Sequence, residues 1–103
     1  MNEVSDPVLQ ELLLKFMKRT EGDRSRLAAL ADRMAPGASE ASEEIAQIAH
    51  RLVGAAGVFG FSKLSEYARE LDVSVQQGCS DPATARENLQ KVLAAIDETL
   101  LGA

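Results

Sequence analysis

Apolar residues recur every three or four positions along almost the whole chain, and no segment shows the alternation typical of a strand. This pattern predicts five helices, at about residues 6–18, 20 or 22 to 34, 39 or 42 to 59, 60 or 62 to 78, and from 81 onwards. Capping and breaking residues set these bounds, with Asp6 and Asp81 each before a proline, Pro36-Gly37 as a stop and Gly78 after the fourth helix. Because the predicted connections are short, successive helices should be antiparallel. We expect an all-α fold, an antiparallel up-down four-helix bundle plus an additional N-terminal helix.

Composition limits the chain to a single domain over residues 1–103. Hydrophobic residues make up 46% of it but aromatic residues only 4%, which favours a core of aliphatic side chains on helices. The net charge of −5 argues against nucleic acid or an anionic membrane as a partner. Cys79 is the only cysteine, and the N-terminus lacks the basic start and long apolar run of a signal peptide. We therefore expect a cytoplasmic monomer.

The only histidine, His50, lies in the third predicted helix and away from its apolar stripe. Residues four and seven positions further on share its helix face, and they are Gly54 and Gly57. A glycine in a helix interior costs about 1 kcal/mol relative to alanine. The open face would suit a phosphoryl group on the imidazole or a partner docked over it. Close helix–helix packing or early fraying of the helix would also explain the glycines.

The segment AHRLVGAAGVFGFSKLSEYARELD, residues 49–72, resembles the signature of histidine-containing phosphotransfer (HPt) domains, the phosphocarriers of two-component phosphorelays. The positions that match in register are His50, Leu52, Gly54, Ala55, Ala56, Gly60 and Leu64. Leu71-Asp72 fits the leucine and the acidic or amide residue that the family carries further on. Val53 departs from the pattern, because many members have a lysine there whose charge offsets that of the phosphoryl group.

The resemblance implies that His50 accepts a phosphoryl group on its outer nitrogen, Nε2, while Asp72, Gln76 or Gln47 holds the other ring nitrogen. With no lysine at position 53, Arg51 and Lys63 are the candidates for a cation beside the phosphoryl group. The residues expected to line a docking surface are Val53, Val58, Phe61 and Ala46.

The implied partners are the receiver domain of a response regulator, a hybrid histidine kinase, or both. The receiver would supply Mg²⁺, and we expect this chain to have no metal or other cofactor of its own. The sequence carries no nucleotide-binding loop and a single histidine, so we do not expect an enzyme. The alternative is a docking module that binds a receiver or another helical partner without transferring phosphate.

Overall fold

The computed structural model describes residues 7–33, 39–76 and 82–102, and within those ranges it contains four helices and no strand. They are α1 (Pro7–Ala31), α2 (Ser39–Val58), α3 (Ser62–Gln76) and α4 (Pro82–Gly102). The all-α class is confirmed. No helix in the described part of the chain is long and apolar enough to cross a membrane. The caps and stops predicted at Asp6, 34–37, 78 and 81, like Cys79, lie outside the described residues.

The predicted additional N-terminal helix is wrong, because the first two predicted helices form one continuous helix, α1. Its buried positions are Phe16, Thr20, Asp23, Leu27 and Leu30, a repeat of four and three that runs through the expected break. The two polar residues of this stripe, Thr20 and Asp23, interrupt the apolar pattern in the way that a loop between two helices would. Gly22 lies there as well, but it is exposed and remains helical.

The four helices form an up-down bundle in which α1 and α3 each pack against α2 and α4. Side-chain pairs show the antiparallel order of α1 and α2. Arg26 near the end of α1 donates to Glu44 near the start of α2 at 2.5 Å, and Phe16 contacts Phe59 with ring centroids 5.2 Å apart. An ion pair of 2.6 Å between Arg24 and Asp97 joins α1 to α4.

One core made mainly of aliphatic side chains fills the bundle, as the composition predicts. Apolar spacing predicts a buried stripe on each of the two middle helices. It is confirmed on α3 at Leu64, Ala68, Leu71 and Val75, and on α2 at Ile45, Ile48, Ala49, Leu52 and Ala56. At the start of α1, apolar spacing also predicts that Val8, Leu9 and Leu12 are buried, and this prediction is wrong because all three are exposed. The contact between Phe16 and Phe59 lies at the end of α2. The turns of α1 before Phe16 therefore extend beyond the end of α2, which leaves these apolar side chains exposed.

A tight turn at Gly60 joins α2 to α3 and sets how the two helices face each other. Gly60 has a φ of 82°, in the left-handed region that favours glycine. Its N–H donates to the carbonyl of Gly57 at 3.2 Å, and the N–H of Phe61 donates to that of Ala56 at 2.9 Å. These two bonds form a Schellman cap, which ends α2 and directs α3 back along it.

Candidate functional site

His50 lies on the outer surface of α2, with its side chain 80% exposed. The helix directs it there because Ala49 and Leu52, on the other side of the same turn, are buried in the core. The imidazole is thus fixed at its base by a packed helix and open to solvent at its tip. Such a group is accessible to a reactant carried by another protein.

A carboxylate from the next helix holds the inner nitrogen of the ring. Nδ1 of His50 lies 3.3 Å from Oδ2 of Asp72, whose side chain is only 13% exposed. The other oxygen of Asp72 accepts a 2.7 Å hydrogen bond from Nε2 of Gln76. A carboxylate only accepts hydrogen bonds, so this contact favours the ring tautomer with its proton on Nδ1. The lone pair is then on Nε2, which faces solvent.

Asp72 therefore contacts the ring directly, whereas Gln76 contacts Asp72 and reaches the ring only through it. Gln47 is exposed on α2, one turn before the histidine, and among the described contacts it makes none with the ring. The structure thus brings two of the three candidate orienting residues together with His50. Ser65 was not predicted, and its hydroxyl donates to the carbonyl of Val53 at 2.9 Å, tying α3 to the turn of α2 that follows the histidine.

The two glycines on the face of His50 leave open surface rather than room for a neighbouring helix. Both are exposed. A Cβ added at Gly54 would meet nothing within 4 Å, and one at Gly57 would meet only the hydroxyl of Ser65, at 3.8 Å. Packing within the described chain therefore does not require glycine at position 54. The interpretation that close helix–helix packing explains this residue is wrong.

Neither predicted cation lies beside the ring. The guanidinium of Arg51 is bonded to the carboxylate of Asp23 on α1, on the other side of α2 from Asp72, which corrects the expectation that it shapes the phosphoryl site. Lys63 is nine residues before Asp72 on α3, which places it about 13 Å away along the helix axis and about half a turn around it. It is exposed on the far side of α3 from His50.

The predicted docking residues differ in their availability. Val58 is 78% exposed at the end of α2. Ala46 and Val53 are half-buried and pack against the core. Phe61 is also partly buried, stacked on Phe16 with ring centroids 5.7 Å apart and planes inclined by 12°. Val58 therefore offers a partner the most apolar surface, whereas Phe61 contributes mainly to the bundle.

One basic residue near the site was missed by sequence reasoning. Arg69 is exposed on α3, four positions after Ser65 and three before Asp72. The signal was present in the spacing of Ser65, Arg69, Asp72 and Gln76, at intervals of four, three and four, which places all four on one side of a helix. Within residues 7–33, 39–76 and 82–102, no group of three or more His, Cys, Asp or Glu side chains could hold a metal ion.

The fold and the site together define a helical-bundle protein with one exposed imidazole, which a carboxylate from the neighbouring helix contacts at 3.3 Å. The family model described as the Hpt domain matches residues 11–100, and the chain belongs to that family. It is therefore a phosphotransfer module of two-component signalling. Hpt domains are phosphocarriers rather than enzymes, and they interact with receiver domains and histidine kinases in phosphorelays. No curated protein and no solved structure gave a significant match to the chain.

Proposed function

We propose that this protein is a histidine phosphocarrier that accepts a phosphoryl group on Nε2 of His50 and passes it to a response regulator. The donor is the aspartyl phosphate of a receiver domain or a histidine kinase. The observation that carries the proposal is the pairing of an 80% exposed imidazole with a carboxylate at its inner nitrogen. This arrangement leaves the outer nitrogen as an accessible nucleophile.

This geometry supports transfer from an aspartyl phosphate. The Nε2 lone pair of His50 attacks phosphorus in line with the acyl oxygen, so the N–P bond forms as the P–O bond breaks. The electron pair of the broken bond stays on the partner's aspartate, which is released as a carboxylate. The ring proton remains on Nδ1, where the carboxylate of Asp72 stabilises the positive charge that develops on the ring. The reverse sequence delivers the phosphoryl group to the next receiver.

The partner contributes the remaining chemistry in this proposal. Mg²⁺ bound by the receiver neutralises charge on the phosphoryl oxygens during transfer. This chain acts without a cofactor of its own, as a cytoplasmic monomer. Gly54 supports the proposal because the surface beside the ring is open and nothing in the described fold fills it. A receiver can bring its own backbone and the phosphoryl group against that surface.

Phosphotransfer to the chain is the direct test. The purified protein and a His50→Gln variant are each mixed with a panel of phosphorylated receiver domains and Mg²⁺, and label on the chain is followed over time. We expect rapid transfer from at least one receiver to the wild type and none to the variant. Binding to a receiver without any transfer would contradict the phosphocarrier proposal and support the docking-module alternative, which the valine at position 53 favours.

A further inference from the structure

A phosphoryl group on His50 would lie close to a carboxylate, and none of the described residues places a cation beside it. It carries a charge of about −2 near neutral pH, and the carboxylate of Asp72 lies at the other nitrogen of the ring. Val53 offers no charge, and Arg51 is held by Asp23. Among the described residues, no Lys or Arg is bonded to His50 or Asp72. The site therefore needs a positive charge from another position.

Arg69 is in place to provide it. Two contacts between α2 and α3 bracket this residue, from Asp72 to His50 at 3.3 Å and from Ser65 to the carbonyl of Val53 at 2.9 Å. Because the helices are antiparallel, Arg69 lies opposite the turn of α2 formed by residues 50–53. It is about 4–5 Å along α3 from Asp72 and about 60° around the helix. This offset directs Arg69 away from the core, and the residue is exposed.

The guanidinium of Arg69 is also unpaired within the described part of the chain. It forms no ion pair with any of the described residues. Arg69 lines a surface hollow of about 240 Å³ together with Gly57, Ser65 and Glu66. Neither Gly57 nor Gly54 has a side chain to block the path from this hollow to the ring. No existing interaction has to break for the arginine to turn towards a phosphoryl group. A guanidinium also matches two phosphoryl oxygens at once, which a lysine does not.

We propose that Arg69 binds the phosphoryl group on His50 and supplies from α3 the positive charge that Val53 does not supply from α2. This proposal rests on the phosphocarrier function. The positive charge that the sequence analysis assigned to Arg51 or Lys63 then comes from Arg69 on the neighbouring helix.

Four variants test the proposal in the phosphotransfer assay. Arg69→Ala removes the charge and Arg69→Lys keeps it. Lys63→Ala is the matched control, because it removes an exposed cation from the far side of the same helix. Arg69→Ala combined with Val53→Lys returns a cation from α2. Each variant is also measured for thermal unfolding and for binding of the unphosphorylated receiver, which separates binding of the phosphoryl group from folding and docking.

We expect Arg69→Ala to slow phosphorylation of His50 about tenfold, the size of one charge-assisted hydrogen bond in a solvated site. Lys63→Ala should transfer like the wild type, whereas Arg69→Lys and the double variant should each recover most of the rate. A rate for Arg69→Ala within twofold of the wild type would overturn the inference and leave the phosphocarrier function intact. An equal loss of rate in Lys63→Ala would also overturn the inference, because it would show that the net charge of the protein, and not Arg69 itself, sets the rate. Failure of the wild type to take up label would overturn both.

Discussion

Substitution of Gly54 by alanine should stabilise the protein while slowing phosphotransfer. Gly54 is exposed in the interior of α2, and an added Cβ would meet nothing within 4 Å. The effect on folding then comes from helix propensity alone, which favours alanine by about 0.8–1.0 kcal/mol. For a domain of this size, the gain corresponds to a rise in melting temperature of roughly 3–8 °C.

The same methyl group projects into the surface beside the imidazole, where the proposed function places the phosphoryl group and the receiver. Forcing an extra methyl into a packed contact typically costs about 1–3 kcal/mol. Transfer from a phosphorylated receiver to His50 should therefore slow by roughly tenfold or more. The stability of the free protein and its rate of transfer should change in opposite directions.

Gly22→Ala is the matched control for this experiment. Gly22 is also exposed inside a long helix, with nothing within 4 Å of an added Cβ, but it lies on α1. It should give a similar gain in the free energy of unfolding, measured by urea denaturation, and leave phosphotransfer unchanged. The reasoning is refuted if Gly54→Ala is as stabilising as Gly22→Ala and transfers at the wild-type rate, because glycine at position 54 would then have no role in access to the ring.

Three further predictions concern single side chains. Asp72→Asn should slow transfer about tenfold or more, because an amide that donates to Nδ1 favours the ring tautomer with its proton on Nε2. Circular dichroism should show no loss of helix content. An unchanged transfer rate would show that Asp72 does not set the tautomer. Thr20 is fully buried, and its hydroxyl has no hydrogen-bond partner among the described residues. Thr20→Val should therefore raise the free energy of unfolding, measured by urea titration, by about 1 kcal/mol. A decrease would argue against an unsatisfied hydroxyl. The hydrogen bond from Arg24 lowers the pKa of Asp97 below its ordinary value of about 3.8. The stability that this bond adds is therefore fully present above that value and is lost as the pH falls through the lowered pKa. Asp97→Asn should be less stable than the wild type at pH 7, and in unfolding experiments the difference should shrink as the pH falls below about 3.8; a difference that does not shrink with falling pH would exclude the ion pair as its cause.

The sequence predicts the elements around the site well because their signals are local. The stripe on α3 and the end of α2 near Gly60 follow from apolar spacing and from a glycine in the left-handed region. The break expected within α1 was wrong for a physical reason. Thr20 and Asp23 are polar residues in a buried stripe, and apolar spacing alone cannot distinguish a buried polar residue from the end of a helix.

The cations at the site could not be assigned from spacing along one helix. Arg51 is adjacent to His50 in sequence, but its partner is Asp23 on α1, and only the packing of α1 against α2 shows that pairing. The position of Arg69 depends on how α3 is paired with α2. Contacts between helices far apart in sequence therefore decide which charges reach the ring, and a periodic pattern does not contain them.

The tight turn at Gly60 has a consequence for the order in which the protein folds and opens. His50, Arg69, Asp72 and Gln76 all belong to the single helical hairpin that this turn closes, and α2 and α3 share the most extensive helix contact of the bundle. Closing so short a loop has a low entropic cost, so the hairpin should be the unit that opens last. Backbone amides of α2 and α3 should then exchange hydrogen with solvent more slowly than those of α1. A partner could displace the long first helix while the imidazole and its carboxylate stayed in register.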